Sequence, residues 1–296
     1  MIYTGVLPVY KEKGYTSNDV VAKLRGILHM KKIGHTGTLD PEATGVLPVC
    51  LGKATALVGH LTDSDKTYEC VMRLGVSTDT EDMTGRILKV SDTGDLTDEQ
   101  IKTTLSGFVG GYDQIPPMYS AKKINGKKLY ELAREGKVVE RKPCHVTIHS
   151  LEDIRIFRGG EGLDVSFTVS CSKGTYIRSL CRDVGDVLNT GGAMLELKRT
   201  AACGIDIEST HTLSEIEEMA KDCSELAKHI LPIDRFYEGY GKITVSGDDK
   251  KRVRNGNTFC RKCPDGMYRV YLDDGEFAAV YEIRNGEARI CRYFLT

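Results

Sequence analysis

Between residues 162 and 188 the hydrophobic period changes within one short stretch, and no other feature limits the possible folds as much. In GLDVSFTVSCS the residues Leu163, Val165, Phe167, Val169 and Cys171 alternate with polar ones, as on a strand with one buried face. In the adjoining SKGTYIRSLCRDVGDVL, Ile177, Leu180, Cys181, Val184 and Leu188 recur at helical spacing and make a single apolar stripe. A half-buried strand feeding an amphipathic helix calls for a sheet with helices against it. Arg178 lies off the stripe, in the first turn after a glycine, at a strand-to-helix junction of the kind where side chains and N–H groups converge on an anion.

The same two periods sort the rest of the chain. Thr16-Ser17-Asn18-Asp19 offers caps for a helix carrying Val20, Val21, Leu24, Ile27 and Leu28. KTYECVMRLG reads as a strand with Tyr68, Cys70, Met72 and Leu74 on one face, Tyr68 near its start. Thr97-x-x-Gln100 and Thr212-x-x-Glu215 are capping boxes that open two further helices, and HVTIHSLEDIRIF is another strand. From Gln114 to Arg141, paired prolines, turn glycines and many basic residues predict an exposed excursion from the sheet. Pro232 marks a boundary, beyond which Asp274-Gly275 and Asn285-Gly286 are hairpin turns that need positive φ. A β-rich C-terminal domain of about 60 residues follows from that spacing.

Composition narrows the function classes. No apolar run approaches the roughly 18 to 20 residues that span a bilayer, and the N-terminus lacks signal-peptide order, so a cytoplasmic protein without a membrane partner is expected. The ten cysteines are scattered, mostly among apolar neighbours, as reduced thiols are. Cys260-Arg-Lys-Cys263 has ligand spacing, but no second pair completes four ligands, so no metal site is expected. The net charge is only −1, yet residues 118–142 hold eight basic and three acidic side chains, and residues 242–262 hold seven and two. Such patches suit phosphate binding or plain surface solvation.

Residues 31–57, KKIGHTGTLDPEATGVLPVCLGKATAL, carry the chemistry of interest. Six residues separate Gly45 from Gly52, and Ala54 follows Lys53, so this is not a phosphate-binding P-loop. Asp40 before Pro41 admits two readings: the N-cap of a helix starting at Pro41, or a fixed, approachable carboxylate for nucleophilic catalysis. His35 reads as a structural histidine, Tyr68 as a core aromatic with a wet hydroxyl, and Arg178 as the partner of a neighbour such as Asp183 when each is taken alone.

Taken together, GHTGTLDPEATGVLPVCLGKAT, DSDKTYECVMRLGVSTDTEDMTG, QIPPMYSAKKINGKKLYELAREG, CSKGTYIRSLCRDVG and LKRTA resemble, in order, the motifs of the bacterial tRNA pseudouridine-55 synthase family of TruB type. The resemblance implies an α+β fold: a catalytic domain on a large mixed, mainly antiparallel sheet with flanking helices over 1–236, then a small PUA-like β-barrel over 237–296. An RNA-clamping insertion would occupy about 112–142. By motif position Asp40 would be the nucleophile, Tyr68 would stack on the target base and assist removal of its C5 proton, and Arg178 would pair with Asp40. His35, Tyr176 and Leu197 would line the base pocket. The implied activity is isomerisation of a T-loop uridine of tRNA to pseudouridine by base flipping, with some assistance to tRNA folding. It would need no cofactor, no metal and no obligate protein partner, and a monomer is expected. Rival readings are a guide-dependent relative and a tRNA-binding protein whose catalysis is secondary. Carboxylates such as Asp79 and Asp82 read as a solvated or substrate-positioning loop.

Overall fold

A computed structural model describes residues 3–295 except 121, 125, 138, 160 and 161. Strand β1 (Gly5–Lys11) is buried over most of its length, and Thr16 then caps α1 (Ser17–Ile27) in a reciprocal box with Asp19. Strands β2 (Ile33–His35) and β3 (Thr44–Leu51) follow. Leu7 and Val9 of β1 and Leu47, Val49 and Leu51 of β3 pack on Val20, Val21 and Leu24 of α1. The period of the helix and that of the strands thereby bury one common layer.

The short α2 (Val58–Thr62) leads to β4 (Lys66–Leu74), the hairpin β5 (Val76–Thr78) and β6 (Ile87–Val90), then α3 (Asp98–Ser106), capped by Thr97 with Gln100. Strand β7 (Gly110–Gln114) precedes the excursion, which holds β8 (Lys123–Ile124), β9 (Lys127–Lys128) and α4 (Leu129–Arg134); residues 121, 125 and 138 of the expected insertion lie outside the described residues. The chain returns through β10 (Cys144–Gly159), β11 (Gly162–Cys171), α5 (Ile177–Val187), β12 (Gly192–Ala202) and β13 (Ile205–Asp206), and two helices, α6 (Leu213–Met219) and α7 (Cys223–Lys228), close this part.

The main sheet runs β1-β3-β12-β4-β11-β10-β7, with β2 beside β3 and β13 beside β12. Among the described residues only β3 and β12 pair in parallel in it, so it is mixed and mainly antiparallel, as the resemblance implied. Helices α3 and α5 cover one face: Ile101, Leu105, Ile177, Leu180 and Val184 pack on Cys70, Met72, Val165, Phe167 and Val169. Each such side chain stabilises the fold by about 1.5 to 3 kcal/mol on burial. The period change at residues 172–176 is thus the point where the chain leaves the sheet and lies back across it.

The C-terminal elements are β14 (Gly241–Val245), α8 (Gly247–Arg254), β15 (Phe259–Cys260), β16 (Gly266–Leu272), β17 (Phe277–Arg284) and β18 (Glu287–Tyr293). They form a five-stranded sheet in the order β14-β16-β17-β18-β15. Asn285 and Gly286 turn β17 into β18 with φ of 52° and 80°, the left-handed pair that a two-residue hairpin requires. Val280 and Phe294 of this unit pack with Val6, Val46, Leu57 and Tyr237, which joins the two sheets through one apolar layer. Among the described residues no helix is long and apolar enough to cross a membrane.

Candidate active site

Asp40 is placed by its neighbours in the chain. Leu39 and Ala43 are buried on either side of it. Leu39 N–H donates to Ser17 Oγ at 2.9 Å, Gly14 N–H donates to the Pro41 carbonyl at 2.9 Å, and Lys11 Nζ donates to the Pro41 and Ala43 carbonyls at 3.0 and 2.6 Å. Burial pushes the Lys11 pKa down to about 8, with the Asp40 charge acting against that. The N-cap reading of Asp40 is overturned. Ala43 N–H closes a tight turn on the Asp40 carbonyl at 3.1 Å, and the chain continues as β3 because the sheet claims Thr44 onwards.

The carboxylate therefore faces outward with 38% of its side chain exposed, and meets Arg178 instead of a backbone N–H. Arg178 Nε lies 2.9 Å from Oδ2 and Nη2 donates to Oδ1 at 3.3 Å, a two-point fork. The expectation that Arg178 taken alone would pair with Asp183 also fails, since Arg182 takes that carboxylate. Arg178 is only 5% exposed, and its remaining N–H groups donate to the Thr80 carbonyl at 3.0 Å and the Tyr119 carbonyl at 2.8 Å. Asp82 Oδ2 stands 3.7 Å from Nη1. Burial raises the Asp40 pKa above the ordinary carboxylate value; Arg178 opposes the rise and the Asp82 charge adds to it. The result is a partly exposed carboxylate held by an arginine and raised in basicity by burial, suited to nucleophilic or proton-transfer work.

The other expected residues gather around this pair to different degrees. Tyr68 is 8% exposed and packs in one cluster with Leu39, Ala43, Ile177 and the half-buried Leu197. Burial raises its hydroxyl pKa, and the Arg199 guanidinium draws it back. Tyr176 is the N-cap of α5 without a capping side chain of its own; Gln114 replaces it, accepting from Tyr176 N–H at 2.8 Å and donating to the Tyr176 carbonyl at 3.0 Å. His35 ends β2, and among the described residues nothing hydrogen-bonds its buried Nδ1 and no bond joins it to Asp40, Tyr68 or Arg178. Burial, then Arg199, lowers its pKa below the usual imidazole value. A cleft of about 810 Å³ opens beside the site; Ala43, Cys70 and Leu197 line it, whereas Asp40, Tyr68 and Arg178 do not.

Four residues of this constellation carry no role from sequence reasoning alone: Lys11, Asp82, Gln114 and Arg199. Asp82 was assigned to a loop, and its link to Arg178 crosses 96 positions, which no local pattern reports. For Arg199 a signal existed, since LKRTA in a strand puts Leu197 and Arg199 on one face and so points a cation inward. Among the described residues no group of three or more His, Cys, Asp or Glu side chains is arranged to hold a metal, and Cys260 is exposed.

Residues 25–177 match the family model of the TruB family pseudouridylate synthase N-terminal domain, and residues 178–237 match that of the tRNA pseudouridylate synthase B C-terminal domain. The chain is 49% identical over 292 residues to tRNA pseudouridine synthase B of Lachnoclostridium phytofermentans, covering 94% of each. It is 40% identical over 297 residues to the enzyme of that name from Clostridium kluyveri, covering 98% of this chain and 99% of the relative. A crystal structure of a Cbf5-Nop10-Gar1 complex contains a chain that superposes with a TM-score of 0.73 at 26% identity, covering 99% of this chain and 85% of that one.

Proposed function

The chain belongs to the TruB family of pseudouridylate synthases, isomerases that convert uridine to pseudouridine in tRNA, and from that premise we propose that its target is the T-loop uridine and that the reaction depends on Asp40. The isomerisation breaks the N1–C1′ bond, turns the uracil and joins C5 to C1′, with the C5 proton lost and N1 protonated. The detached base must be held, and water must be kept out, while this happens. Asp40 supplies the reactive carboxylate, Arg178 keeps it ionised, and Tyr68 offers its ring to the uracil. His35, Tyr176 and Leu197 line the pocket.

The target base is stacked in the folded T loop, and its extrusion costs a few kcal/mol. Contacts of the basic excursion and of the C-terminal residues 237–296 to the RNA backbone offset that cost, and the same contacts assist tRNA folding. Residues 1–236 perform the chemistry. The protein acts as a cytoplasmic monomer without cofactor or guide RNA.

The observation that carries this reading is the Asp40–Arg178 fork, which brings a partly exposed carboxylate and a buried guanidinium together across 138 positions. Release of tritium from C5-labelled uridine in an unmodified T-arm stem-loop tests it. Turnover by the wild type with none by Asp40→Asn is the expected result. Tight RNA binding without release by the wild type would sink the stand-alone reading and point to a guide-dependent subunit.

A further inference from the structure

Arg199 stands first by volume among the fully buried side chains, at 1% exposure. No carboxylate pairs with it among the described residues. Nε donates to the Val46 carbonyl at 2.7 Å and Nη2 to the Gly37 carbonyl at 3.3 Å. Two further cations, Lys11 and Lys66, are buried close by and are likewise held by carbonyls. A buried charge without an opposite charge costs several kcal/mol, so filling volume alone would favour leucine or methionine here.

Its surroundings indicate what the charge is for. On β12, Arg199 stands directly opposite Tyr68 of β4 on one side and Gly45 of β3 on the other. Directly opposed residues of an antiparallel pair project to the same face with Cβ atoms about 4.5 to 5.5 Å apart. A Cβ on Gly45 would fall 2.1 Å from the Arg199 carbonyl oxygen, and one on Gly37 would fall 3.7 Å from Arg199 Nη1. Of the two glycines that bracket Asp40, Gly45 is thus required by the close approach of the Arg199 backbone, while Gly37 leaves only ordinary contact distance to its guanidinium. The register therefore sets the Arg199 side chain beside the Tyr68 ring on one face of the sheet.

We propose that Arg199 is a positioning residue for the isomerisation: from its place opposite Tyr68 on β12, its guanidinium donates to the Tyr68 hydroxyl oxygen and so fixes the orientation of the ring offered to the uracil. The inference rests on the role given to Tyr68 above. A charge-assisted N–H bond to the phenol oxygen holds the ring more firmly than a neutral one would. Through Gly37 and Val46 the same side chain ties the tyrosine wall to the loop of Asp40.

A double-mutant cycle tests this, with kcat and KM read from C5 tritium release on the T-arm stem-loop and the melting midpoint of every variant recorded. Arg199→Lys, and Arg199→Gln as a second variant should the first not fold, are each combined with Tyr68→Phe. In the wild-type background each should lower kcat by about tenfold or more with KM within about threefold; in the Tyr68→Phe background each should lower kcat by less than about threefold, the non-additivity expected of groups acting as one unit. Equal penalties in both backgrounds, or a change in KM alone, would overturn the assignment. A wild-type chain without turnover would overturn instead the reading of Tyr68 on which it rests.

Discussion

Gly45 tolerates no side chain, because β3 passes against the Arg199 backbone with φ of 105°. Gly14 has a φ of 89° but nothing within 4 Å of the place a Cβ would take. Gly14→Ala should therefore cost about 1 to 2 kcal/mol for its left-handed backbone, whereas Gly45→Ala should cost more than about 4 kcal/mol or prevent folding; urea denaturation of both variants makes the comparison. Lys11 allows a prediction of sign. Its pKa falls from 10.5 to about 8 on folding, so between those values the unfolded chain holds a proton that the folded chain has released. From this group stability rises with pH from about 8 to about 10.5, and Lys11→Met should flatten that part of the stability curve. At this scale the sequence announced which residue types matter, Asp40, Tyr68 and Arg178 among them. Local pattern did not announce their partners, since Asp183 sits five positions from Arg178 while Asp40 sits 138 positions away; the pairing of Arg178 with Asp40 followed only from the family motifs.

The start of α5 shows how elements rather than single residues aim the site. Tyr176 has no capping side chain of its own, and Gln114 from the end of β7 satisfies both its backbone groups. Gln114→Leu should lower stability by about 1 to 2 kcal/mol, the cost of leaving the Tyr176 N–H unpaired while its carbonyl keeps the Leu180 N–H at 3.1 Å. It should also slow turnover, because Arg178 lies two residues further on; melting and tritium-release assays read the two effects separately. The excursion is pinned at its base to the same helix and to itself: Arg182 Nη2 donates to the Ile115 carbonyl at 3.1 Å, Arg178 Nη2 to the Tyr119 carbonyl at 2.8 Å, and Arg141 Nη1 to the Pro116 carbonyl at 3.0 Å. Replacing residues 122–138 by a short Gly-Ser linker leaves all three pins in place. The expected outcome is a KM for the T-arm stem-loop raised by about tenfold or more through lost phosphate contacts, with the melting midpoint within a few degrees of wild type; an unchanged KM would remove the excursion from RNA binding. Capping boxes at Thr97 and Thr212, and a cap among residues 16–19 that proves to be Thr16, were readable because a cap is a local interaction across three residues. The Gln114 cap was not, because it arrives from 62 positions away.

Across the whole molecule the two sheets share an apolar layer in which Tyr237 stacks on His60 at 5.0 Å and lies against Tyr240, Phe277 and Phe294. Removing residues 241–296 uncovers that layer. The truncated chain should melt lower and self-associate, as exposed apolar patches do. If residues 237–296 contact tRNA beyond the T arm, as their basic patch suggests, the KM of the truncated chain for intact tRNA should rise more than its KM for an isolated T-arm stem-loop. Equal changes on both substrates would assign the C-terminal sheet to stability alone.

The sequence by itself determined the alternation of strands and helices, the capping boxes, the Asn-Gly hairpin and the family motifs, because each depends on residues within a few positions of one another. Tertiary structure alone decided that Asp40 starts a turn into β3 instead of a helix, and that Arg199 and Lys11 support it from β12 and β1. Those outcomes depend on sheet order and register. The parallel pairing of β12 with β3 and the antiparallel pairing of β12 with β4 bring Gly45, Arg199 and Tyr68 side by side from three distant parts of the chain, and hydrophobic periodicity sets the face of a residue but not its neighbour on the next strand.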